Sequence, residues 1–124
     1  MNSTSLAGRS ILIVEDEALI ALDVADAFER AGAHVTTAST YRAAVALVEQ
    51  DGLSAAILDH ALESEDSSRL RERLKERDVP FVIYTGFDKV REIGHDGVVV
   101  SKPANPAVLV ATVEGLLQGR SSGT

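Results

Sequence analysis

Three carboxylates, one hydroxyl and one amine stand at the ends of short apolar segments in this 124-residue sequence. Glu15 and Asp16 follow the segment ILIV, Asp59 ends AAILD, Thr85 ends FVIYT and Lys102 follows VVVS. Two carboxylates about 4 Å apart repel by roughly 4 kcal/mol at an effective dielectric constant near 20, so a cluster of three requires a cation. Carboxylate oxygens suit Mg²⁺, with Mn²⁺ as an alternative, and a lysine amine can hold one oxygen of a phosphoryl group. These residue types therefore indicate a metal site that handles phosphoryl groups.

The elements that must bring these residues together are short β-branched segments alternating with helical patterns. Five such segments are predicted as strands: 10–14, 34–37, 55–58, 81–85 and 98–101. Taken together, these segments are apolar on both faces, which is typical of a parallel sheet covered by helices. In an open parallel sheet, functional groups gather at the carboxyl ends of the strands, near the point where the strand order reverses. The acids, the hydroxyl and the amine are therefore expected at one edge of the sheet.

Stripes of apolar residues at helical spacing predict the helices between the strands. The first stripe covers about 18–31 and is followed by Gly32 as a C-terminal cap. The second begins after Ser39 or Thr40 as its N-cap, and a third, sparser stripe follows. The last is opened by the Asn-Pro dipeptide at 105–106, a cap followed by the first helical residue.

The alternation of strands and helices predicts a single three-layer, doubly wound α/β domain with a five-stranded parallel sheet. This domain is expected to span 10–118, between a flexible N-terminus over 1–9 and a flexible C-terminal tail over 119–124. The segment 87–96 holds only about two helical turns, so a short or irregular fourth helix is expected between the last two strands.

Composition restricts the partners of the protein. The formal net charge of −7 argues against a nucleic-acid binder, because such proteins draw most of their affinity from lysine and arginine contacts to phosphates. The absence of cysteine excludes disulfides and thiolate metal sites. The apolar runs are short and the first ten residues lack a signal-peptide core, so no membrane partner and a cytoplasmic location are expected.

Four motifs, in this order and at these strand ends, carry a family resemblance. They are ILIVEDE, AAILDHAL, FVIYTGF and VVVSKP. Together they resemble the receiver domain of two-component response regulators, over about 10–117. The resemblance implies the flavodoxin-like fold of that family and a bacterial phosphorelay protein.

The resemblance also implies roles for the acids. Asp59 would be the phosphoacceptor, taking a phosphoryl group from a histidine kinase, a histidine phosphotransfer protein or a small phosphodonor. Asp16 and Asp59 would bind Mg²⁺ directly, with the backbone carbonyl of Ala61 as a third ligand. Glu15, a variant at the first acid position of the family, would act through water.

The hydroxyl and the amine complete the implied site. Thr85 would donate its hydroxyl to a phosphoryl oxygen and move towards it on activation, while Lys102 would pair with another oxygen. In-line phosphoryl transfer needs positioning and charge stabilisation more than covalent assistance, which a metal, a lysine and a hydroxyl can supply.

The sequence departs from the common receiver pattern in several places. The loop HALESEDSSRL lacks the usual Pro-Gly, and Val99 replaces the aromatic switch residue of many receivers. With YTGFD, these features are similar to a subgroup of single-domain receivers known by a Phe-Ala-Thr-Gly motif in bacterial stress signalling. Activation is then expected to pass through Thr85, Gly86 and the loop after them. The apolar Ala61 and Phe87 predict slow-to-moderate autodephosphorylation.

A simpler interpretation of the first acids remains open. Glu15 and Asp16 are also typical of acids that the helix dipole favours near a helix N-terminus. Glu17 is expected to be such an acid, in the first turn of the first helix, and is not assigned to the metal.

The predicted function is that of a stand-alone receiver that signals through contacts with a downstream protein, as a monomer or weak dimer. It is no conventional enzyme, since it would catalyse only its own phosphorylation and autodephosphorylation. Two alternatives remain open. One is a receiver-like interaction module that works without phosphorylation, and the other is a hydrolase that uses the same acids on a small phosphorylated metabolite.

Overall fold

The computed structural model describes residues 5–59, 65–86, 98–102 and 105–121, and these contain five strands and four helices. The strands are β1 (Ser10–Val14), β2 (His34–Ala38), β3 (Leu53–Asp59), β4 (Phe81–Gly86) and β5 (Val98–Lys102). The helices are α1 (Ala18–Arg30), α2 (Tyr41–Val48), α3 (Glu65–Glu76) and α4 (Pro106–Ser121).

All strand pairs are parallel, and the strand order is β2-β1-β3-β4-β5. This is the order of a flavodoxin-like sheet, so the predicted five-stranded, doubly wound fold is confirmed. Because the chain passes from β1 outwards to β2 and then back across β1 to β3, the order reverses between β1 and β3. A crevice for ligands is expected at the carboxyl ends of these two strands.

Alternating side chains along the strands divide the interior into two cores, one on each face of the sheet. Ile11 and Ile13 face the α1–α4 core, which is built with buried residues of α1 and α4 such as Phe28. Leu12 and Val14 face the α2–α3 core on the other side. The predicted three-layer arrangement follows directly from this alternation.

The end of α1 shows the predicted glycine cap. Gly32 has a φ of 98°, and its N–H donates to the carbonyl of Glu29 at 2.9 Å. The N–H of Ala33 donates to the carbonyl of Phe28 at 3.1 Å, which completes a Schellman motif. A Cβ at position 32 would come within 3.1 Å of the backbone of Ala7, so both conformation and space favour glycine.

The starts of α2 and α4 also follow local chemistry. Thr40, the second of the two predicted caps, accepts the N–H of Ala43 at 3.1 Å through its hydroxyl oxygen. Asn105 accepts the N–H of Ala107 at 2.9 Å through its side chain, directly before the proline that begins α4. Both helices therefore begin where a short polar side chain can satisfy a backbone donor.

The described structure extends beyond the limits expected from the sequence at both ends. Leu6, in the segment expected to be a flexible terminus, is 1% exposed and lies in the α1–α4 core. Its N–H donates to the carbonyl of Ala31 at 2.8 Å, and Ser5 hydrogen-bonds the carboxylate of Glu114. At the other end, α4 continues to Ser121, past the expected boundary at residue 118. A lone leucine in a polar segment has no periodic pattern, which is why the sequence did not reveal this packing.

Two further expectations from the sequence concern a short fourth helix and membrane segments. The short helix expected over 87–96 lies outside the described residues. Among the helices described, none is long and apolar enough to cross a membrane.

The surface between α2 and α3 is a network of ion pairs. The guanidinium of Arg73 donates to both carboxylate oxygens of Glu49, at 2.6 and 2.7 Å. Arg77 donates to the carboxylate of Asp51 at 3.1 Å. The hydrogen bond from Arg73 lowers the pKa of Glu49, and the same contact raises the pKa of Arg73. These acids are neutralised by cations belonging to the fold.

Candidate functional site

The sheet brings the predicted site residues to one edge. Glu15 directly follows β1, and Asp59 is the last residue of β3. Thr85 lies next to the end of β4, and Lys102 is the last residue of β5. Because all the strands are parallel, these four positions share the carboxyl edge of the sheet.

The strand register places the first two acids side by side. Val14 pairs with Leu58, so Glu15 and Asp59 are the next residues on neighbouring strands. Neighbouring strands lie about 4.8 Å apart. The N–H of Glu15 still donates to the carbonyl of Ala38 at 2.9 Å, which extends the ladder between β1 and β2 by one residue. The two carboxylates therefore start from adjacent, well-defined backbone positions at the switch point of the sheet.

Both acids are removed from solvent. Asp59 is 1% exposed and Glu15 is 5% exposed, and they are the buried polar residues among those the structure describes. Removing a carboxylate from water costs several kcal/mol unless a cation or hydrogen bonds compensate. Two buried acids on adjacent strands therefore form a site that favours a positive charge.

The acids after β1 also form a cluster of metal-ligand type. Carboxylate oxygens of Glu15, Asp16 and Glu17 all lie within 4.8 Å of one another. At that separation a like-charged pair repels by about 3.5 kcal/mol at an effective dielectric constant near 20, and by about 0.9 kcal/mol where water screens it, as at the exposed Asp16 and Glu17. Hard divalent cations such as Mg²⁺ prefer oxygen donors of this kind. The donor set at this edge fits the metal that the sequence predicted.

Glu17 was not assigned to the metal on sequence grounds, and its position differs from the expected one. It is the N-cap residue of α1, before the first helical turn, with φ −89° and ψ 111°. Its N–H donates to Oε2 of Glu15 at 3.1 Å. Glu15 therefore belongs to the acidic cluster and also accepts the backbone N–H of the residue that precedes the first helical turn of α1.

A tyrosine that the sequence did not indicate contacts the same edge. The hydroxyl of Tyr41, the first residue of α2, donates to the backbone carbonyl of Asp59 at 3.0 Å. Tyr41 is 4% exposed, so this is a buried contact between α2 and the end of β3. Its only sequence signal is an aromatic residue directly after the Thr40 cap.

The hydroxyl and amine positions are defined by backbone pairing. Thr85 pairs with Ser101, and Gly86 pairs with Lys102, at the ends of β4 and β5. Asp59 pairs with Tyr84, one residue before the threonine. The expected hydroxyl and amine are thus carried on neighbouring strands at the level of the acids, while their side chains lie outside the described part of the structure.

The residues expected to tune the site are only partly described. Val99, which stands where many receivers have an aromatic residue, is partly buried and packs against the α2–α3 core. Ala61 and Phe87 lie outside the described residues.

Comparison with known proteins identifies the family of the chain. The sequence matches the family model described as the response regulator receiver domain over residues 11–114. It is 30% identical over 128 residues to the phosphate regulon transcriptional regulatory protein PhoB of Pseudomonas aeruginosa, an alignment that covers 95% of this chain. The same alignment covers 56% of that protein, so the chain spans about half the length of this curated relative.

Solved structures share the fold. A CheY-like response regulator receiver domain protein from Methanospirillum hungatei has a TM-score of 0.79 at 24% identity, covering 94% of this chain and 98% of that one. A response regulator receiver protein from Sinorhizobium medicae has a TM-score of 0.79 at 23% identity, covering 91% of this chain and 97% of that one. The predicted flavodoxin-like receiver fold and the predicted family resemblance are both confirmed.

Proposed function

Because the chain belongs to the receiver domains of two-component response regulators, we propose that Asp59 accepts a phosphoryl group in a Mg²⁺-dependent reaction. The observation that carries this proposal is the burial of Asp59, which is 1% exposed at the end of β3. Glu15 stands beside it at the switch point, within the acidic cluster that begins α1. The donor would be a phosphohistidine of a kinase or phosphotransfer protein, or a small phosphodonor.

The acids at the edge would hold the metal. We assign direct contacts to Asp16 and Asp59 and a contact through water to Glu15, with the carbonyl of Ala61 as a further ligand. Glu17 lies within the same group of carboxylates and adds negative charge beside it. When bound, the divalent ion supplies neutralisation of phosphoryl-oxygen charge.

The transfer itself would use the carboxylate of Asp59 as nucleophile. One of its oxygens attacks phosphorus in line with the scissile P–N bond of a phosphohistidine, and the electron pair of that bond passes to the imidazole nitrogen. The product is an acyl phosphate on Asp59. Lys102 would hold one phosphoryl oxygen through its amine, and Thr85 would donate its hydroxyl to another.

Output would pass through protein contacts. A net charge of −7 disfavours direct binding to nucleic acid, since phosphate contacts require lysine and arginine. Formation of the acyl phosphate would change the conformation at the ends of β4 and β5, where Thr85 and Lys102 lie. A surface that a partner protein recognises would thereby change.

The proposal is tested by phosphorylation with a small donor. The protein is incubated with phosphoramidate or acetyl phosphate, with Mg²⁺ or with a chelator, and its intact mass is measured. One phosphoryl adduct should form with Mg²⁺, and it should be absent with the chelator and in Asp59→Asn. The matched control Asp23→Asn changes an exposed aspartate on α1 and should keep the adduct. Failure of the folded protein to form any adduct, with these donors or with a kinase, would instead support an interaction module that works without phosphorylation.

A further inference from the structure

We propose that Tyr41 is a positioning residue for phosphoryl transfer, holding the backbone of Asp59 through its phenol hydroxyl. This inference rests on the proposed function of Asp59 and adds a residue that the receiver motifs do not contain. It starts from one contact, in which the Tyr41 hydroxyl donates to the Asp59 carbonyl at 3.0 Å.

The contact is buried at both ends. Tyr41 is 4% exposed and Asp59 is 1% exposed. A buried backbone carbonyl needs a hydrogen-bond donor, and a buried tyrosine hydroxyl needs a partner. The contact satisfies both requirements at the last residue of β3. The peptide after the phosphoacceptor is thus fixed by a side chain from another element.

The tyrosine approaches from the face opposite the carboxylate. Tyr41 belongs to the α2–α3 core together with Leu58, the residue before the phosphoacceptor. Side chains alternate along a strand, so Asp59 projects to the other face, the one that Ile57 occupies in the α1–α4 core. Tyr41 therefore contacts the Asp59 backbone and leaves the carboxylate face open to metal and phosphoryl group.

The position of the hydroxyl is set by the start of α2. Thr40 accepts the N–H of Ala43 at 3.1 Å and fixes the first turn, of which Tyr41 is the first residue. The aromatic ring has only two rotatable bonds, and here it is packed in the α2–α3 core. A helix start and a rigid ring are therefore a better constraint on the Asp59 peptide than an exchanging water molecule.

The expected effect of this constraint is on reaction geometry. Small misplacements of a reacting group slow phosphoryl transfer, because catalysis at such sites consists mainly of positioning and charge stabilisation. Rotation of the Asp59 peptide would also displace the Asp59 carboxylate, which is one of the ligands assigned to the metal. Loss of the hydroxyl should therefore weaken Mg²⁺ binding and slow phosphorylation together.

The test compares wild type with Tyr41→Phe, which keeps the ring and removes the hydroxyl. The rate constant for phosphorylation by phosphoramidate should fall about three- to tenfold, the effect of one net hydrogen bond. The Mg²⁺ dissociation constant, measured by NMR titration, should rise in the same variant. The carbonyl carbon resonance of Asp59 should shift even without Mg²⁺, since the hydrogen bond to that carbonyl is lost.

A second variant separates positioning from stability. Val48→Ala shortens a fully buried side chain of the same helix and the same core, at the far end of α2 from the site. It should lower the melting temperature while leaving the phosphorylation rate and the Mg²⁺ dissociation constant near those of wild type. If Val48→Ala slows the reaction as much as Tyr41→Phe, the role of Tyr41 is structural and the inference is wrong.

The remaining outcomes are also decisive. Wild-type rate and wild-type Mg²⁺ affinity in folded Tyr41→Phe would overturn the inference while leaving the proposed function intact. Absence of phosphorylation in wild type, with no difference from Asp59→Asn, would instead reject the proposed function. In that case the Mg²⁺ titration still tests the role of Tyr41. If Tyr41→Phe has the same Mg²⁺ dissociation constant as wild type, Tyr41 does not position Asp59.

Discussion

The carboxylates at the carboxyl edge of the sheet and those on the surface between α2 and α3 have opposite surroundings. Glu49 and Asp51 face arginines at 2.6 to 3.1 Å. Glu15, Asp16 and Glu17 instead face one another, with oxygens within 4.8 Å. In the first arrangement the acids are compensated by cations of the fold, whereas like charges crowded together as in the second favour the binding of a cation.

Under the proposed function, this difference separates acids that stabilise the fold from acids that would bind the metal. Acids that the fold needs are neutralised by cations of the fold, and they lie on the surface where desolvation costs little. The acids proposed to bind the metal lie at strand ends, where Glu15, Asp16 and Glu17 are crowded together and where Glu15 and Asp59 are buried. Neutralising an acid should therefore have opposite effects in the two regions.

The largest expected effect is the response of stability to Mg²⁺. A ligand present at about 100 times its dissociation constant stabilises the folded state by about 2.7 kcal/mol. For a domain of this size, that should raise the melting temperature by roughly 10 °C. Asp16→Asn removes a proposed direct ligand and should lose most of this increase, measured by calorimetry with and without Mg²⁺. Asp23→Asn is the matched control and should keep the full increase in melting temperature. An equal increase in both variants would show that Asp16 does not bind the metal.

A smaller effect is expected without metal, and its sign distinguishes the two regions. Asp16→Asn should stabilise the metal-free protein by about 0.5 kcal/mol, because it removes repulsion within the exposed part of the acidic cluster. Asp51→Asn should act in the opposite direction, since Asp51 accepts a hydrogen bond from Arg77 at 3.1 Å. Chemical denaturation in a chelating buffer measures both changes. If both variants changed the free energy of unfolding in the same direction, the acids of the two regions would not differ in their effect on stability.

The smallest effect concerns the pH dependence of the surface pair. The hydrogen bond from Arg73 holds the pKa of Glu49 below its ordinary value of 4.5. A lowered pKa means that the pair stabilises the folded state above that ordinary value and loses this contribution as pH falls through the lowered value. Glu49→Gln should therefore lower the melting temperature slightly at neutral pH, and the difference from wild type should shrink in acid and at high salt.

The measurement is a series of melting temperatures from about pH 7 to about pH 3 at two salt concentrations. Glu29→Gln, which changes an exposed acid on α1, is the control. A Glu49→Gln difference that grows in acid would show that the pair does not stabilise the folded protein.

Much of the fold could be predicted because its determinants are local. The β-branched segments predicted the five strands that the structure describes, with the observed bounds for β1 and with one to three residues missing from each of the others. The caps at Gly32, Thr40 and Asn105 follow from backbone conformation and short polar side chains within a few residues. The strand ends then placed Asp59 and the acids after β1 at one edge of a parallel sheet without any knowledge of distances.

The features that sequence did not predict depend on contacts between distant parts of the chain. Leu6 is buried because the segment before β1 returns to the end of α1, where its N–H meets the carbonyl of Ala31. Tyr41 contacts Asp59 across 18 residues, and nothing in its own neighbourhood signals that contact. Glu17 is an exception, because its contact is local: the sequence predicts an ordinary helix acid, and the turn after β1 that brings its carboxylate beside Glu15 has no sequence pattern.

The central claim is that Asp59 becomes phosphorylated. Borohydride trapping tests this claim most directly. The protein is treated with phosphoramidate and Mg²⁺, reduced with borohydride and digested, and the peptides are sequenced by mass spectrometry. An acyl phosphate on aspartate is reduced to homoserine, so the account predicts homoserine at position 59, and only when Mg²⁺ is present. Homoserine at Asp16 or another exposed aspartate, with none at position 59, would contradict it.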